Sequence, residues 1–338
     1  MNNRIGYLDF LRGIAILTVV MGHTIQYNLI GESATYCFNF IYSFHMGFFF
    51  FISGCAASLS SKKNTWNYFP AFIRKKSRQL LLPFIIWGVF IPVVLKDLNI
   101  NEIPSRFILI FRNPDRGAWF LLFLFCIQII FFICCAITSR AKNRYTRVLT
   151  LLVSVPVIVV TLYLKKRIIG SDFTWVIPEY LLLFIFGYLA QASDSIRKYS
   201  ISVPIIGFIV FVFVAPLFDF SESSSIVMRL IKLLASTAFS VTSYSIVRSY
   251  YGEIHKRATT IINYLGTHTL ELYVTQYCII QICASPWLSV STVNVIPLFV
   301  WLILLSVPIS FIIIGISSIL KCIPGMPLLL YGEKYKLE

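Results

Sequence analysis

A small set of ionisable side chains stands inside otherwise apolar sequence. Asp9, Arg12 and His23 share one apolar run, His45 lies in a second, and Glu179 lies near the start of a later one. Charged groups within a membrane span are costly and mark function by default. Asp9 and Arg12 are three residues apart, neighbours on one helical face that can neutralise each other. His23 follows Arg12 by eleven residues, about three helical turns, and so falls on nearly the same face. A histidine titrating near neutrality can take a proton from a hydroxyl. A second histidine or a carboxylate can orient it or stabilise the imidazolium. Groups of these types at these spacings fit proton transfer to or from a bound alcohol.

The elements that position them follow from composition. The chain has 338 residues, 58% hydrophobic, 16% aromatic and only 13% charged, with 30 Phe and a mean hydropathy of +0.81. Soluble domains carry roughly 25% charged residues, so a soluble enzyme, a disordered chain, a fibre and a disulfide scaffold are excluded. The long unbroken apolar runs also exclude a transmembrane β-barrel, whose strands alternate in polarity. The expected fold is all-α: a polytopic membrane helical bundle, residues 1–338 forming one integral membrane domain. A span needs about 20 mostly apolar residues. Ten runs qualify: 7–27, 40–60, 80–96, 118–138, 147–164, 175–191, 201–218, 226–250, 267–285 and 293–320. The first is too long for a signal-peptide core and no small-residue cleavage site follows it, so it reads as a retained helix. The eight cysteines fall mostly in apolar runs with no C-x-x-C pair, as small hydrophobes do.

Orientation comes from Lys and Arg, which collect on the cytoplasmic side. With the N-terminus inside, most of the 29 basic residues fall in cytoplasmic segments, while 28–39 and 286–292 carry none. The basic residues in 97–117 and 165–174 run against the pattern. Both termini are expected inside, and the net charge of +15 reads as an orientation signal rather than a nucleic-acid surface. On this topology His23 lies roughly 6 Å below the outer end of the first helix, His45 roughly 7 Å and Glu179 roughly 6 Å below theirs. Three titratable groups from three helices share one depth. For His45 a packing hydrogen bond is the competing role; for Glu179 it is snorkelling or a salt bridge.

Other polar groups have plainer readings. Glu271, near the inner end of the ninth run, suits a structural ion pair. Arg229 and Lys232 suit snorkelling or guidance of an anionic glycan or lipid phosphate. Gln276 suits a helix–helix hydrogen bond, and His255 and His268 receive no role. The cluster from Arg74 to Arg78 is a positive-inside anchor, a cytosolic phosphate site, or both.

The residues also carry a resemblance. Tyr7-Leu-Asp9-Phe-Leu-Arg12-Gly-Ile-Ala15, with His23 completing Arg-x10-His, resembles the first helix of the acyltransferase family 3 membrane proteins. Phe44-His45-Met46 with Phe49 to Gly54, Arg74 to Arg78 with Leu82-Pro83-Phe84, Trp119 to Leu122, and Leu265-Gly266 through Glu271-Leu-Tyr273 resemble further boxes in order along the chain. Two departures stand out. Lys75-x-x-Arg78 replaces the usual Arg-x-x-Arg, with Arg74 one residue earlier. Gln276 stands where the family's ninth-helix box often ends in His.

The resemblance implies an O-acyltransferase of a bacterial inner membrane, taking acyl-CoA, most often acetyl-CoA, as donor. The acceptor would be a hydroxyl of a cell-envelope glycan or lipid-linked sugar, with no metal and no nucleic acid. His23 is then the general base or a transient acyl carrier, with His45 and Glu179 as further catalytic candidates. Arg12, Arg74, Lys75 and Arg78 would hold the donor's phosphates, and Asp9 and Glu271 would orient them. The competing class is a transporter or exporter of an envelope glycan or lipid, since buried charge and broken helices suit transport. A non-catalytic scaffold leaves His23 unexplained.

Overall fold

The computed structural model of the chain describes residues 5–60, 65–95, 100–113, 118–138, 149, 152–154, 156, 159, 177–192, 201–254, 256–282, 288–289 and 294–333. Most of the expected span 147–164 lies outside these residues. So do the segment 165–174, His255, and the basic residues Arg4, Lys62, Lys63, Arg140, Lys142, Arg144, Arg147, Arg197, Lys198, Lys334 and Lys336.

The protein is an all-α, multi-pass membrane protein. Among the described residues, six helices are long and apolar enough to span: Gly6–Asn28, Glu32–Ser60, Trp66–Val94, Trp119–Ile137, Ile226–Tyr250 and Val295–Lys321. Ile177–Ala192 and Ser202–Leu217 are shorter apolar helices. Contacts divide the chain into two compact units, residues Met1–Ala56 with Phe186–Ser317, and Ala57–Ile185 with Ser318–Glu338.

In the first unit α1 (Gly6–Asn28) leads through a two-residue strand, Leu29–Ile30, into α2 (Glu32–Tyr42) and α3 (His45–Ser60). The strand pairs in parallel with Leu288–Ser289. Segment 28–39, expected as an outer loop, is mostly helix α2, because Glu32 to Tyr42 offers no Pro or Gly to stop it. The expected second span therefore begins earlier and is interrupted at Ser43–Phe44. There the backbone tightens: Ser43 N–H donates to Asn39 and Phe44 N–H to Ile41. Ser236 Oγ donates to the Ser43 carbonyl at 2.9 Å.

Small residues set the closest approaches in this unit, as is usual where lipid supplies no hydrophobic drive between helices. A Cβ on Gly13 would stand 2.0 Å from the Ile262 carbonyl oxygen, and one on Gly266 would stand 1.8 Å from that of Asp9. One on Gly187 would stand 1.9 Å from that of Phe51. Aromatic rings fill the wider gaps. Phe44 lies against Phe211, Phe239 and, through Phe40, Phe299 at centroid distances of 4.1–5.9 Å.

The second unit holds α4 (Trp66–Val94), α5 (Ile103–Arg112), α6 (Trp119–Ile137) and most of α7 (Ile177–Ala192). The third span was expected at 80–96, after the basic cluster. Instead the helix runs through Arg74 to Arg78, since Arg and Lys are good helix formers. It contains two π-helical turns, Ser77–Leu81 and Ile86–Phe90. Helix α5 occupies part of the expected loop 97–117, started by Pro104 in its first turn. Phe72, Phe132 and Ala136 form a buried cluster between α4 and α6.

The remaining helices are α8 (Ser202–Val214), α9 (Ile226–Tyr250), α10 (Lys256–Thr267), α11 (Thr269–Ile282), α12 (Val295–Lys321) and α13 (Met326–Tyr331). Ser225 caps α9 by accepting from the Met228 N–H at 3.2 Å. The expected ninth span is thus preceded by a separate helix, α10, broken from α11 at His268. The outward faces of α8 and α12 carry exposed Phe213, Ile303 and Leu304, as contact with lipid requires.

Candidate functional site

Asp9 sits in the first turn of α1, where the helix dipole favours a carboxylate. It is buried, and Arg12 Nη1 donates to its Oδ1 at 2.7 Å. The guanidinium side is 35% exposed and the carboxylate side 8%. The pair is therefore buried at one end and wet at the other. Gly266 packs directly on the Asp9 carbonyl, bringing the α10–α11 junction to this end of α1. Glu271, buried in the first turn of α11, follows from it.

Three turns along α1, His23 is 8% exposed. Its Nδ1 lies 3.1 Å from Gln26 Oε1. The same Gln26 oxygen accepts from the Tyr42 hydroxyl at 3.1 Å. An amide oxygen only accepts, so this arrangement puts the His23 proton on Nδ1 and the lone pair on Nε2. Tyr42 in turn lies against His45, ring centroids 4.5 Å apart. His45, 4% exposed, opens α3, and its Nδ1 donates to the Ile41 carbonyl at 2.9 Å. Tyr27 stacks on His23 at 6.1 Å.

His23 and His45 are thus joined through Gln26 and Tyr42, one turn from each histidine. Gln26 follows His23 by three residues and Tyr42 precedes His45 by three. Reading i±3 neighbours of each histidine for hydrogen-bonding side chains would have found both. His45 meets the expectation of a packing hydrogen bond, to the backbone of its own segment, and also faces Tyr42.

The other candidates belong to the second unit. Glu179 is in the first turn of α7 and half-buried. Its neighbour Tyr180 stacks on Trp119 at 5.6 Å. Arg74 and Lys75 are exposed on α4, while Lys76 Nζ lies over the Phe72 ring at 5.9 Å. Arg78 is half-buried, and its Nε donates to the Gly332 carbonyl at 3.1 Å. That bond fixes one edge of the guanidinium. Arg74 and Arg78, four residues apart, remain on one side of α4.

One of the plainer readings needs adjustment. Gln276 was expected to bond between helices. Its Nε2 instead donates to the Tyr273 carbonyl of its own helix at 3.2 Å, and its buried Oε1 has no hydrogen-bond partner among the described residues. Lys232 covers the Phe218 ring at 5.9 Å, a snorkelled cation on an aromatic face. Among the described residues no group of three or more His, Cys, Asp or Glu converges to hold a metal ion.

Within the first unit, a buried imidazole pair at one level of α1 and an ion pair three turns away supply a base and a cation of the kinds that acyl transfer to an alcohol uses. Similarity to known proteins points the same way. Over 94 residues the chain is 38% identical to Nodulation protein NolL of Mesorhizobium japonicum, covering 27% of this chain and 24% of that protein. It is 34% identical to Nodulation protein NolL of Sinorhizobium fredii over 94 residues, 27% of this chain and 25% of that protein. The matched stretch spans about a quarter of each relative's length. No solved structure matches. Residues 5–315 match the acyltransferase domain of family 3, from the start of α1 into the second half of α12. The chain belongs to the acyltransferase family 3 of membrane proteins.

Proposed function

We propose that the protein is a membrane-embedded O-acyltransferase that moves an acetyl group from cytosolic acetyl-CoA to a hydroxyl of a cell-envelope glycan or lipid-linked sugar. The observation that carries this reading is the His23–Gln26–Tyr42–His45 array inside the family's domain, whose two histidines are buried while Gln26 reaches the exposed side. In this reading the chain has ten spans with both termini inside, and the N-terminal end of α1 lies on the cytosolic side of a bacterial inner membrane. Residues 1–338 act as one acyltransferase domain.

Arg12, Arg74, Lys75 and Arg78 hold the donor's phosphates, with Asp9 and Glu271 as orienting carboxylates. His23 Nε2 takes the acceptor's hydroxyl proton as the alkoxide oxygen bonds to the thioester carbonyl carbon. The C–S bond then breaks, and the proton passes to the departing thiolate of CoA. General base catalysis of this kind contributes about 10²–10⁴-fold. A two-step route, in which Nε2 itself carries the acyl group, uses the same nitrogen. Tyr42, through Gln26, sets the ring's orientation. His45 and Glu179 are the further groups for stabilising the imidazolium.

Purified protein in native lipid, supplied with acetyl-CoA and envelope glycan, should release CoA thiol only with acceptor present. His23→Ala should abolish that release while remaining folded, and a fully active His23→Ala would end the proposal. Mass spectrometry of envelope glycans from a deletion strain should show the loss of 42 Da groups expected of acetyl, about the mass of C2H2O. A second reading, export of an envelope glycan or lipid, draws on the interruption of the α2–α3 helix beside His45, since transporters use broken helices at their binding sites. Glycan movement without consumption of acetyl-CoA would favour it.

A further inference from the structure

One polar network lies outside this machinery. It sits in the first unit, where α1 begins and where α7 and α9 end. The Tyr7 hydroxyl donates to Gln191 Oε1 at 2.7 Å, and the Tyr244 hydroxyl donates to the same oxygen at 2.8 Å. Arg248 Nη1 donates to the Tyr244 oxygen. The Arg248 guanidinium lies 5.9 Å from the Tyr7 ring centroid and 5.4 Å from that of Tyr244. Ser245, between Tyr244 and Arg248 on α9, is 2% exposed, and its Oγ has no hydrogen-bond partner among the described residues.

Counting donors and acceptors shows what is missing. Two phenols occupy the lone pairs of Gln191 Oε1, so only the amide N–H groups of Gln191 remain. Both phenolic protons are used. Arg248 has five N–H donors and uses one. No carboxylate pairs with it among the described residues. The Ser245 hydroxyl is buried and has no hydrogen-bond partner among the described residues. The unused capacity of the network is almost entirely donor, with one positive charge and no counter-charge among the described residues. The two tyrosine rings lie against the guanidinium. Its place in the last turn of α9 suits the cation, which the helix dipole favours there.

We propose that Arg248, Gln191 and Ser245 form a binding site for a phosphoryl group. Donors arriving from two helices suit a tetrahedral anion with several acceptor oxygens better than a planar carboxylate, which one guanidinium fork would satisfy. Phosphoryl groups reach this end of the protein from two sources, the phosphates of CoA and the headgroups of anionic lipid. The CoA source rests on the proposed function, whereas the headgroup source does not.

The test uses the full chain in phosphatidylcholine nanodiscs and reads binding without turnover. Coenzyme A affinity is measured by calorimetry, and phosphatidylglycerol retention from mixed nanodiscs by native mass spectrometry. Arg248→Gln should weaken one of the two at least tenfold, and Ser245→Ala by about threefold to tenfold. Gln191→Glu keeps an acceptor for both phenols while placing a negative charge among the donors. It should give the same loss, and it preserves the test if Arg248→Gln fails to fold. Loss of coenzyme A affinity identifies the donor's phosphates as the ligand, and loss of lipid retention alone identifies the headgroup. Wild-type protein that binds neither, or variants that bind both as tightly as wild type, overturns the site.

Discussion

The α1–α10 contact gives the sharpest prediction. Gly266→Ala adds one methyl group where a Cβ stands 1.8 Å from the Asp9 carbonyl oxygen and 3.0 Å from the Gly13 nitrogen. Ordinary contact begins near 3.4 Å, so the helices must part by about 1.6 Å, the difference between those two distances. Neither obstructing atom can turn aside, because both belong to the backbone of α1. Overpacking costs about 1–3 kcal/mol, and backbone against backbone puts this case at the upper end. At roughly 2–4 °C per kcal/mol for a large domain, the melting temperature in lipid should fall by about 5–10 °C. Asp9 and Arg12 move together on α1, so their ion pair survives. The α10–α11 junction that carries Glu271 shifts relative to them, and a displacement near 1 Å can cost about 10²-fold in rate. Gly315→Ala is the control. No atom lies within 4 Å of its Cβ, and alanine is favoured over glycine in a helix by up to about 1 kcal/mol. Its melting temperature should hold or rise. Equal melting temperatures for the two variants would refute the packing argument.

Further outcomes follow from the same structure. Arg12→Gln should destabilise more than Asp9→Asn, by about 3 against about 1 kcal/mol, because it strands a buried carboxylate, whereas Arg12 is already partly in water; chemical denaturation of both variants measures the asymmetry. Tyr42→Phe removes one hydrogen bond to Gln26 and should lower turnover about tenfold with little change in KM, read by initial rates. Gly332 has φ +63° and a Cβ position 2.0 Å from the Arg78 carbonyl oxygen, so Gly332→Ala should release α13 and raise its proteolysis. Asp219, half-buried between α8 and α9, is held below its ordinary value chiefly by the Ser221 N–H, with help from the Ser221 hydroxyl and Asn39. A lowered carboxylate stabilises its turn above the ordinary pKa of 3.8 and loses that contribution as pH falls through the lowered value. Ser221→Ala should therefore move the Asp219 titration upward by NMR.

The sequence was most legible where one physical term dominates. Apolar runs located the helices of the described spans because lipid forbids unpaired backbone. The three-residue spacing of Asp9 and Arg12 foretold their ion pair because helical geometry alone decides it. His23 and His45, two of the three groups expected at one depth, are joined through Gln26 and Tyr42, while Glu179 belongs to the second unit. What escaped was set by packing. Tyr42-Ser43-Phe44-His45 contains no Pro or Gly, so nothing in its composition marks the interruption between α2 and α3. The helix through Arg74 to Arg78 escaped because hydropathy measures lipid preference and is blind to a helix that continues into the interface. Tyr7 and Gln191 are 184 residues apart, and no local pattern connects them.

The interruption at Ser43 has a bearing on what His45 can do with a proton. Its Nδ1 is committed to the Ile41 carbonyl, bridging the two helical pieces. A carbonyl accepts and never donates, so that nitrogen keeps its hydrogen whether the ring is neutral or charged. His45 therefore exchanges protons through one port, Nε2, and a proton taken there must leave by the same nitrogen. A relay that passes protons from one side of a membrane to the other needs a ring open at both ends. With a single port, His45 can lend and recover a proton within one chemical event, but it cannot serve as a stepping stone for proton-driven export.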